Sequence, residues 1–415
     1  MFRIRSWGCA FFAAIICLCS FPSVANEKIE INFRRGVALF HPLVAGSMII
    51  GSRSEYMPEP FSDAHHQLTS AQLAAITAAG FDFVRVPVDP GPFLQFKGAR
   101  LDQLYEVMRQ KIEMILSHGF LVIVDFHPNP LSETLGPHAL VAGSETPIFN
   151  AYCDMLVRTA QLLNSYPSNK IALEILNEPE VGWSRVGYAT WQAMIEKAYL
   201  AIRTVSPHMV LVVSGGNGGN AEGLVNLKPT AFANDQNVIF SFHHYWPYEF
   251  TMQSLEGDPI RGLLLDVPYP AQERPLSDSL AALSKHLDRQ GKHGPEKLKA
   301  LAQTTAKLTA YRLSDYNRTS IRSAFDRVAA WADKHSISRS RIFLGEFGTI
   351  RRFGRYNGTR DSERARWLRD IREEAEAHGF FWSIWTFSGS GGMAIVNNEA
   401  STIIDHVTLE ALGLK

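Results

Sequence analysis

The chain predicts an α/β fold, a (β/α)8 barrel, and three observations carry that expectation. Strand-like and helix-like segments alternate from residue 33 to residue 389. The strand-like segments number eight, the count a closed parallel barrel needs, although a doubly wound open sheet shares the alternation. Several of them are continuous in apolar residues, as a parallel strand covered on both faces requires.

The elements follow in order. FRRGVALF (33–40) reads as the first strand. LTSAQLAAITAAG (68–80) is a helix, with Ser70 as N-cap and Gly80 as its stop. FDFVRVPV (81–88) is the second strand. The helix LDQLYEVMRQKIEMILSHG (101–119) places Leu101, Leu104, Tyr105, Met108, Ile112, Ile115 and Leu116 on one face. FLVIVDFHP (120–128) and IALEILNEP (171–179) supply strands three and four, and TWQAMIEKAYLAIRTV (190–205) the next helix. MVLVVSGG (209–216) and NVIFSFHHY (237–245) are strands five and six. FDRVAAWADKH (325–335) is helical, RIFLGEFG (341–348) is strand seven, SERARWLRDIREEAEAHG (362–379) a helix and FFWSIWTFSG (380–389) strand eight. Between strands six and seven, residues 246–340 exceed what one crossover helix needs. EGDPIRGLLLDVPYPAQERP reads there as irregular and KHGPEKLKALAQTTAKLTAYRL as a helix with a solvated lysine face. This long insertion is expected above the barrel mouth.

Residues 1–25 have the layout of a signal peptide. Arg3 and Arg5 precede an uncharged apolar stretch from Trp7 to Phe21, and Ser23-Val24-Ala25 offers a cleavage site. The expectation is an exported protein, secreted or periplasmic, with residues 26–415 forming a single catalytic barrel domain. Cys153 is then the only thiol of the mature chain; one thiol cannot form an internal disulfide, and this one sits in a helical pattern as a small hydrophobe. Charge is balanced, 41 basic against 41 acidic residues. That disfavours a nucleic-acid partner and suits a neutral ligand. No later segment has the length and apolarity of a membrane span. A monomer without stable membrane association is expected.

In alternating barrels the chemistry gathers at the carboxyl ends of the strands. Those ends hold Arg85, His127, Asn177 and Glu178, His243 to Trp246, Glu346, and Trp382 with Trp385. Two carboxylates at one mouth suggest glycoside hydrolysis, in which one acid protonates the leaving oxygen while the other attacks the anomeric carbon or activates water. Each acid alone could instead cap a helix or pair with an arginine.

With these residues in place, the sequence resembles glycoside hydrolase family 5, the cellulase family of clan A, over most of residues 33–390. ILNEPE matches the family's strand-four signature and IFLGEFG its strand-seven signature. FVRVPV, DFHP, FHHY and WSIW match the positions of Arg85, His127, the pair His243 and Tyr245, and Trp385. The resemblance implies a retaining enzyme with Glu178 as acid/base and Glu346 as nucleophile, using no cofactor and no metal. Physical chemistry fits those roles. Arg85 would hold Glu346 charged and oriented, and the charge of Glu346 would raise the pKa of Glu178. Asn177 would bond the sugar 2-hydroxyl, Tyr245 the nucleophile, and Trp385 would offer an apolar face to a pyranose ring. His243 and His127 would contact sugar or orient the carboxylates. Glu174 also fits the strand-four pattern, in a structural part.

Other readings compete. Asp125, His127, His243 and His244 could be metal ligands, but the strand-one position where barrel amidohydrolases carry His-x-His holds only His41. SGGNGGN (214–220) lacks the Lys-Ser/Thr of a phosphate loop and reads as a turn. A carbohydrate-binding protein that has lost catalysis remains the non-enzyme alternative. The substrate is expected to be a β-linked polysaccharide or oligosaccharide, with endo-1,4-β-glucanase action first and exo-β-glucanase, β-glucosidase or β-mannanase action as alternatives. Trp183, Trp246 and Tyr248 are candidate subsite aromatics, while Trp191 reads as core. Asn317-Arg318-Thr319 and Asn357-Gly358-Thr359 match glycosylation acceptors.

Overall fold

A computed structural model describes residues 28–415 except 31, 183, 390 and 399. The expected signal peptide and Trp183 lie outside the described residues. Eight parallel strands close in chain order: β1 (Arg35–Ala38), β2 (Phe83–Val88), β3 (Leu121–Phe126), β4 (Ile171–Glu174), β5 (Val210–Ser214), β6 (Val238–His243), β7 (Ile342–Glu346) and β8 (Phe381–Ile384). β1 pairs with both β2 and β8, which closes the barrel and leaves it no open edge.

Each strand is shorter than the segment that predicts it, and β4 shows the chain leaving the ladder at the mouth. β4 ends at Glu174, yet the backbone N–H groups of Ile175 and Asn177 still donate to Val212 and Phe126, at 3.0 and 2.8 Å. The tip that carries Asn177 and Glu178 is thereby fixed to both neighbouring strands. The first long helix, Ser70–Ala79, is capped by Thr69 rather than by Ser70. The Thr69 side chain accepts from the Gln72 N–H and the Gln72 side chain accepts from the Thr69 N–H. Gly80, at φ +94°, ends that helix as expected.

Strand alternation divides the side chains into two sets. Val84, Val86, Val122, Val124, Leu173 and Leu211 face the surrounding helices and join the main core. The inward set begins with an aromatic floor. Phe33, Phe83, Phe343 and Phe381 fill the barrel bottom, with Phe343 and Phe381 stacked at 4.5 Å. Gly36 makes room for that floor, since a Cβ there would meet the Phe83 ring at 2.3 Å. One step higher, the same alternation turns Arg85, Asp125 and Glu174 into the interior, all fully buried. An apolar floor under a polar ceiling aims the chemistry toward the mouth.

Besides a single turn at Tyr248–Thr251, the insertion holds three helices, Leu276–Arg289, Gly294–Leu313 and Arg318–Lys334, of which only the first is not evident from the sequence. Between Thr251 and Leu276 the chain is irregular apart from a short 3-10 turn at Arg261–Leu263. Leu283 and Leu287 of the first helix pack with Leu265 in a small separate core. Asp266 anchors the insertion through Arg274, Arg352 and Arg360, and these cations hold its carboxyl well below the usual range. Among the described residues no helix is long and apolar enough to cross a membrane. Cys153 is buried, and burial pushes its thiol up to about 11, so it acts as a packing group.

Candidate active site

Arg85 organises the mouth. Its Nη1 donates to Glu346 Oε1 at 2.5 Å. Nε and Nη2 donate to the two oxygens of Glu174 at 2.7 and 3.0 Å, and Nη2 also reaches Asn177 Oδ1 at 2.8 Å and Asp125 Oδ2 at 3.0 Å. One cation thus faces three carboxylates with no solvent contact of its own. Burial raises the carboxyl of Asp125 to about 7 and also raises that of Glu174, in both cases against the pull of Arg85. Removal of either partner of such a set leaves an uncompensated buried charge, which costs on the order of 3–5 kcal/mol.

The contacts extend outward from Arg85. The Asn177 amide is oriented on both sides, since its oxygen accepts from Arg85 and its nitrogen donates to His127 Nε2 at 3.3 Å. His127 in turn donates from Nδ1 to Asp125 Oδ2 at 3.2 Å. Trp385 stacks on the His127 ring at 5.3 Å and 16°, whereas Trp382 is fully buried in the core. Tyr245 donates to Glu346 Oε2 at 2.8 Å, so each oxygen of Glu346 has its own donor. A register shift between Phe242 and His243 sets His243 opposite Glu346. All eight site residues expected from the sequence therefore meet in one connected cluster.

Glu178 sits at the tip beyond β4 with its backbone at φ +38°, a left-handed conformation uncommon for glutamate and typical of functional sites. Its Oε1 lies 2.8 Å from His243 Nδ1. Although 38% of the side chain meets the cleft, the carboxyl is set among protein atoms, and that desolvation raises its pKa to about 7. The leading cause differs from the one expected from sequence, because burial outweighs any charge effect of Glu346. His243 is nearly fully buried, and burial lowers it to about 4, so its imidazole is neutral at pH 7. One donor atom each from Glu178, His243 and Glu346 lie within 4.8 Å of one another.

Asp125 and His244 leave the competing metal reading. Asp125 is committed to Arg85 and His127, and His244 Nε2 lies 3.1 Å from the Tyr316 hydroxyl while its ring packs on Phe325. The Gly-rich stretch forms the turn after β5, where the Gly219 carbonyl accepts from the His243 N–H at 2.8 Å. Trp191 is core, its indole donating to the Ser214 carbonyl. Trp246 is half exposed and packs edge to face with Tyr248 at 5.1 Å. Both line a cavity of about 440 Å³ that also meets Glu178, Tyr245 and Tyr316. The insertion supplies Tyr248 and Tyr316, and so forms part of the cleft wall.

Sequence reasoning undervalued two groups. Asp125 serves the site as the partner of both Arg85 and His127, and the period of two that puts it on the face of His127 was the available signal. Gly345 has no signal in the sequence. A Cβ there would lie 2.6 Å from Ser241 Oγ and 2.7 Å from His243 Nε2.

The architecture and its acid pair are those of a parallel (β/α)8 barrel with its functional groups at the strand ends. Residues 59–389 match the model described as cellulase (glycosyl hydrolase family 5), and the chain belongs to that family. Endoglucanase 3 of Fibrobacter succinogenes is 20% identical over 339 residues, 78% of this chain and 46% of that protein. Endoglucanase C of Acetivibrio thermocellus is 22% identical over 83% of this chain and 90% of that protein. The chain spans about half or less of the length of several of its curated relatives, 46%, 29% and 52% for three of them. Among solved structures, a family 5 xyloglucanase from Paenibacillus pabuli superposes with TM-score 0.66 at 15% identity, covering 92% of this chain and 98% of that one. The cellulose synthase subunit Z of Clostridioides difficile gives 0.64 at 20% identity, covering 92% and 99%.

Proposed function

We propose that the chain is an exported glycosidase that hydrolyses β-linked glucan with retention, most directly as an endo-1,4-β-glucanase. The observation that carries this reading is the short separation of its two acids, with one oxygen of Glu178 and one of Glu346 within 4.8 Å. Retaining pairs stand about 5–5.5 Å apart, whereas inverting pairs leave roughly 6.5–9.5 Å for a water. Glu346 attacks the anomeric carbon as its bond to the leaving oxygen breaks, and Glu178 gives its proton to that oxygen. The resulting glycosyl ester neutralises Glu346. Glu178, now a carboxylate, takes a proton from water, whose oxygen attacks the same carbon and frees Glu346. Trp385 would carry the sugar ring being transferred. Trp246 and Tyr248, on the cavity that Glu178 faces, would carry the leaving portion of the chain. The relatives named as endoglucanases support a polymeric β-glucan as substrate.

The test is sugar release by the mature protein from carboxymethyl cellulose, mixed-linkage glucan, laminarin, mannan, xyloglucan and aryl β-glucosides. Glu346→Ala is the control, and product configuration is followed by proton NMR. Oligosaccharides from one β-1,4-glucan, formed first as the β-anomer and lost in the variant, are expected. First-formed α-anomer would exclude double displacement, and glucose alone would mean exo action.

A further inference from the structure

The loop between β1 and the helix Ser70–Ala79 carries a second cluster outside the acid pair. Asp63, His65 and His66 each present a donor atom within 4.8 Å of the others. His66 is fully buried. Its Nε2 lies 3.1 Å from the Val44 carbonyl oxygen, which can only accept, so Nε2 carries the ring proton. Nδ1 is left with a lone pair, buried and without a hydrogen-bond partner. A buried acceptor with no donor is costly, and a metal ion would satisfy it. A backbone carbonyl on the opposite ring nitrogen is the arrangement that fixes the tautomer of metal-binding histidines. The Asp63 carboxylate is likewise oriented, accepting from the Ser47 hydroxyl. The His65 and His66 rings stand 3.9 Å apart.

We infer that Asp63, His65 and His66 bind one divalent transition-metal ion of the zinc class, in a site distinct from the acid pair. Two imidazoles and one carboxylate suit Zn²⁺, whereas Ca²⁺ and Mg²⁺ prefer all-oxygen sets. A water would complete the coordination. The ion would tie residues 63–66 to Val44, earlier in the same loop and next to the bridge from Leu43 to Val88 of β2, supporting the tie in which Lys111 donates to the His66 carbonyl at 3.1 Å. The site also adjoins the cleft. His41 lies 6.3 Å from His65 and edge to face with Phe40, which packs edge to face on Trp385 at 5.5 Å. Loop order would therefore reach the sugar platform through the rings of His41 and Phe40.

The experiment uses the mature chain without a histidine tag, stripped with chelator and dialysed against zinc. Bound metal is counted by mass spectrometry, affinity is measured by calorimetry, and melting is followed with and without zinc. One saturable equivalent with micromolar or tighter affinity and a raised Tm is expected. Asp63→Asn and His65→Ala should each weaken binding about tenfold or more while the zinc-free Tm stays near that of the parent. Glu178→Gln should bind zinc as the parent does. Absence of saturable uptake at micromolar zinc overturns the proposal. So does uptake that survives both loop variants, or uptake lost with Glu178→Gln, which would place the ion in the cleft.

Discussion

Arg85 donates to Glu346 from Nη1 at 2.5 Å while its Nε and Nη2 grip Glu174, so the proposed nucleophile is oriented by a cation that is itself held by a second acid. Lysine at this position would keep the charge but lose the fork. Arg85→Lys is expected to lower kcat/KM roughly a thousandfold, about 4 kcal/mol of transition-state stabilisation, and to depress Tm as well. Steady-state kinetics on an aryl β-glycoside, with circular dichroism to confirm folding, checks this. A folded variant within tenfold of the parent would remove Arg85 from the mechanism.

As the proposed acid, Glu178 must begin each cycle protonated, and burial raises its pKa to about 7. The alkaline limb of kcat/KM should therefore fall with a midpoint near 7, since the group loses its proton as pH rises through that value. Substrates with a very acidic phenol as leaving group need no proton, and their alkaline limb in the first half-reaction should flatten. A limb unchanged between good and poor leaving groups would assign the titration elsewhere.

The same shift links to stability. A carboxyl whose folded pKa is raised above its ordinary 4.5 favours the folded state while protonated, and that advantage is lost as pH rises toward 7. Glu178→Gln removes the titration. The variant's Tm relative to the parent should rise steadily from pH 4.5 to pH 7.5, and calorimetry across that range reads it. A pH-independent difference would mean that Glu178 is not desolvated in solution.

Much of this site was legible because strand and function coincide. The runs ending in Asn177-Glu178 and in Glu346 advertise themselves, since an apolar strand has no packing reason to finish in an acid. What stayed hidden depends on neighbours across the barrel. Asp125 in mid-strand reads as an anomaly until Arg85 on β2 is set beside it. The cause of the raised Glu178 pKa differs from the expected one because charge can be counted in a sequence and desolvation cannot. The helix Leu276–Arg289 escaped notice because its stripe, Leu280, Leu283 and Leu287, is short and follows a Pro-rich stretch.

Trp246 is half exposed beside Tyr248 on the cavity that Glu178 faces. If this aromatic pair carries the leaving portion of a glucan, Trp246→Ala should raise KM for polymer and cello-oligosaccharides about tenfold, roughly 1.4 kcal/mol. Aryl monoglucosides, too short to reach it, should be unaffected. Equal losses on both substrates would mean that the variant disturbs His243 to Tyr245 instead.

Gly345 lies on β7 directly beside His243, where a Cβ would approach Nε2 to 2.7 Å and Ser241 Oγ to 2.6 Å. The Ser241 hydroxyl can turn about its own rotor but the imidazole ring cannot give way at its edge, so alanine must push the imidazole away from β7. That displacement acts on Glu178, whose Oε1 is 2.8 Å from the other nitrogen of the same ring. Gly345→Ala should therefore lower kcat by about tenfold to a hundredfold while costing roughly 1–3 kcal/mol of stability, the usual range for overpacking. A purely structural fault would leave the pH profile in place, but loss of the His243 contact should move the alkaline limb. Joint measurement of Tm and the pH dependence of kcat/KM decides between them. An unshifted limb with reduced kcat would assign Gly345 to packing alone.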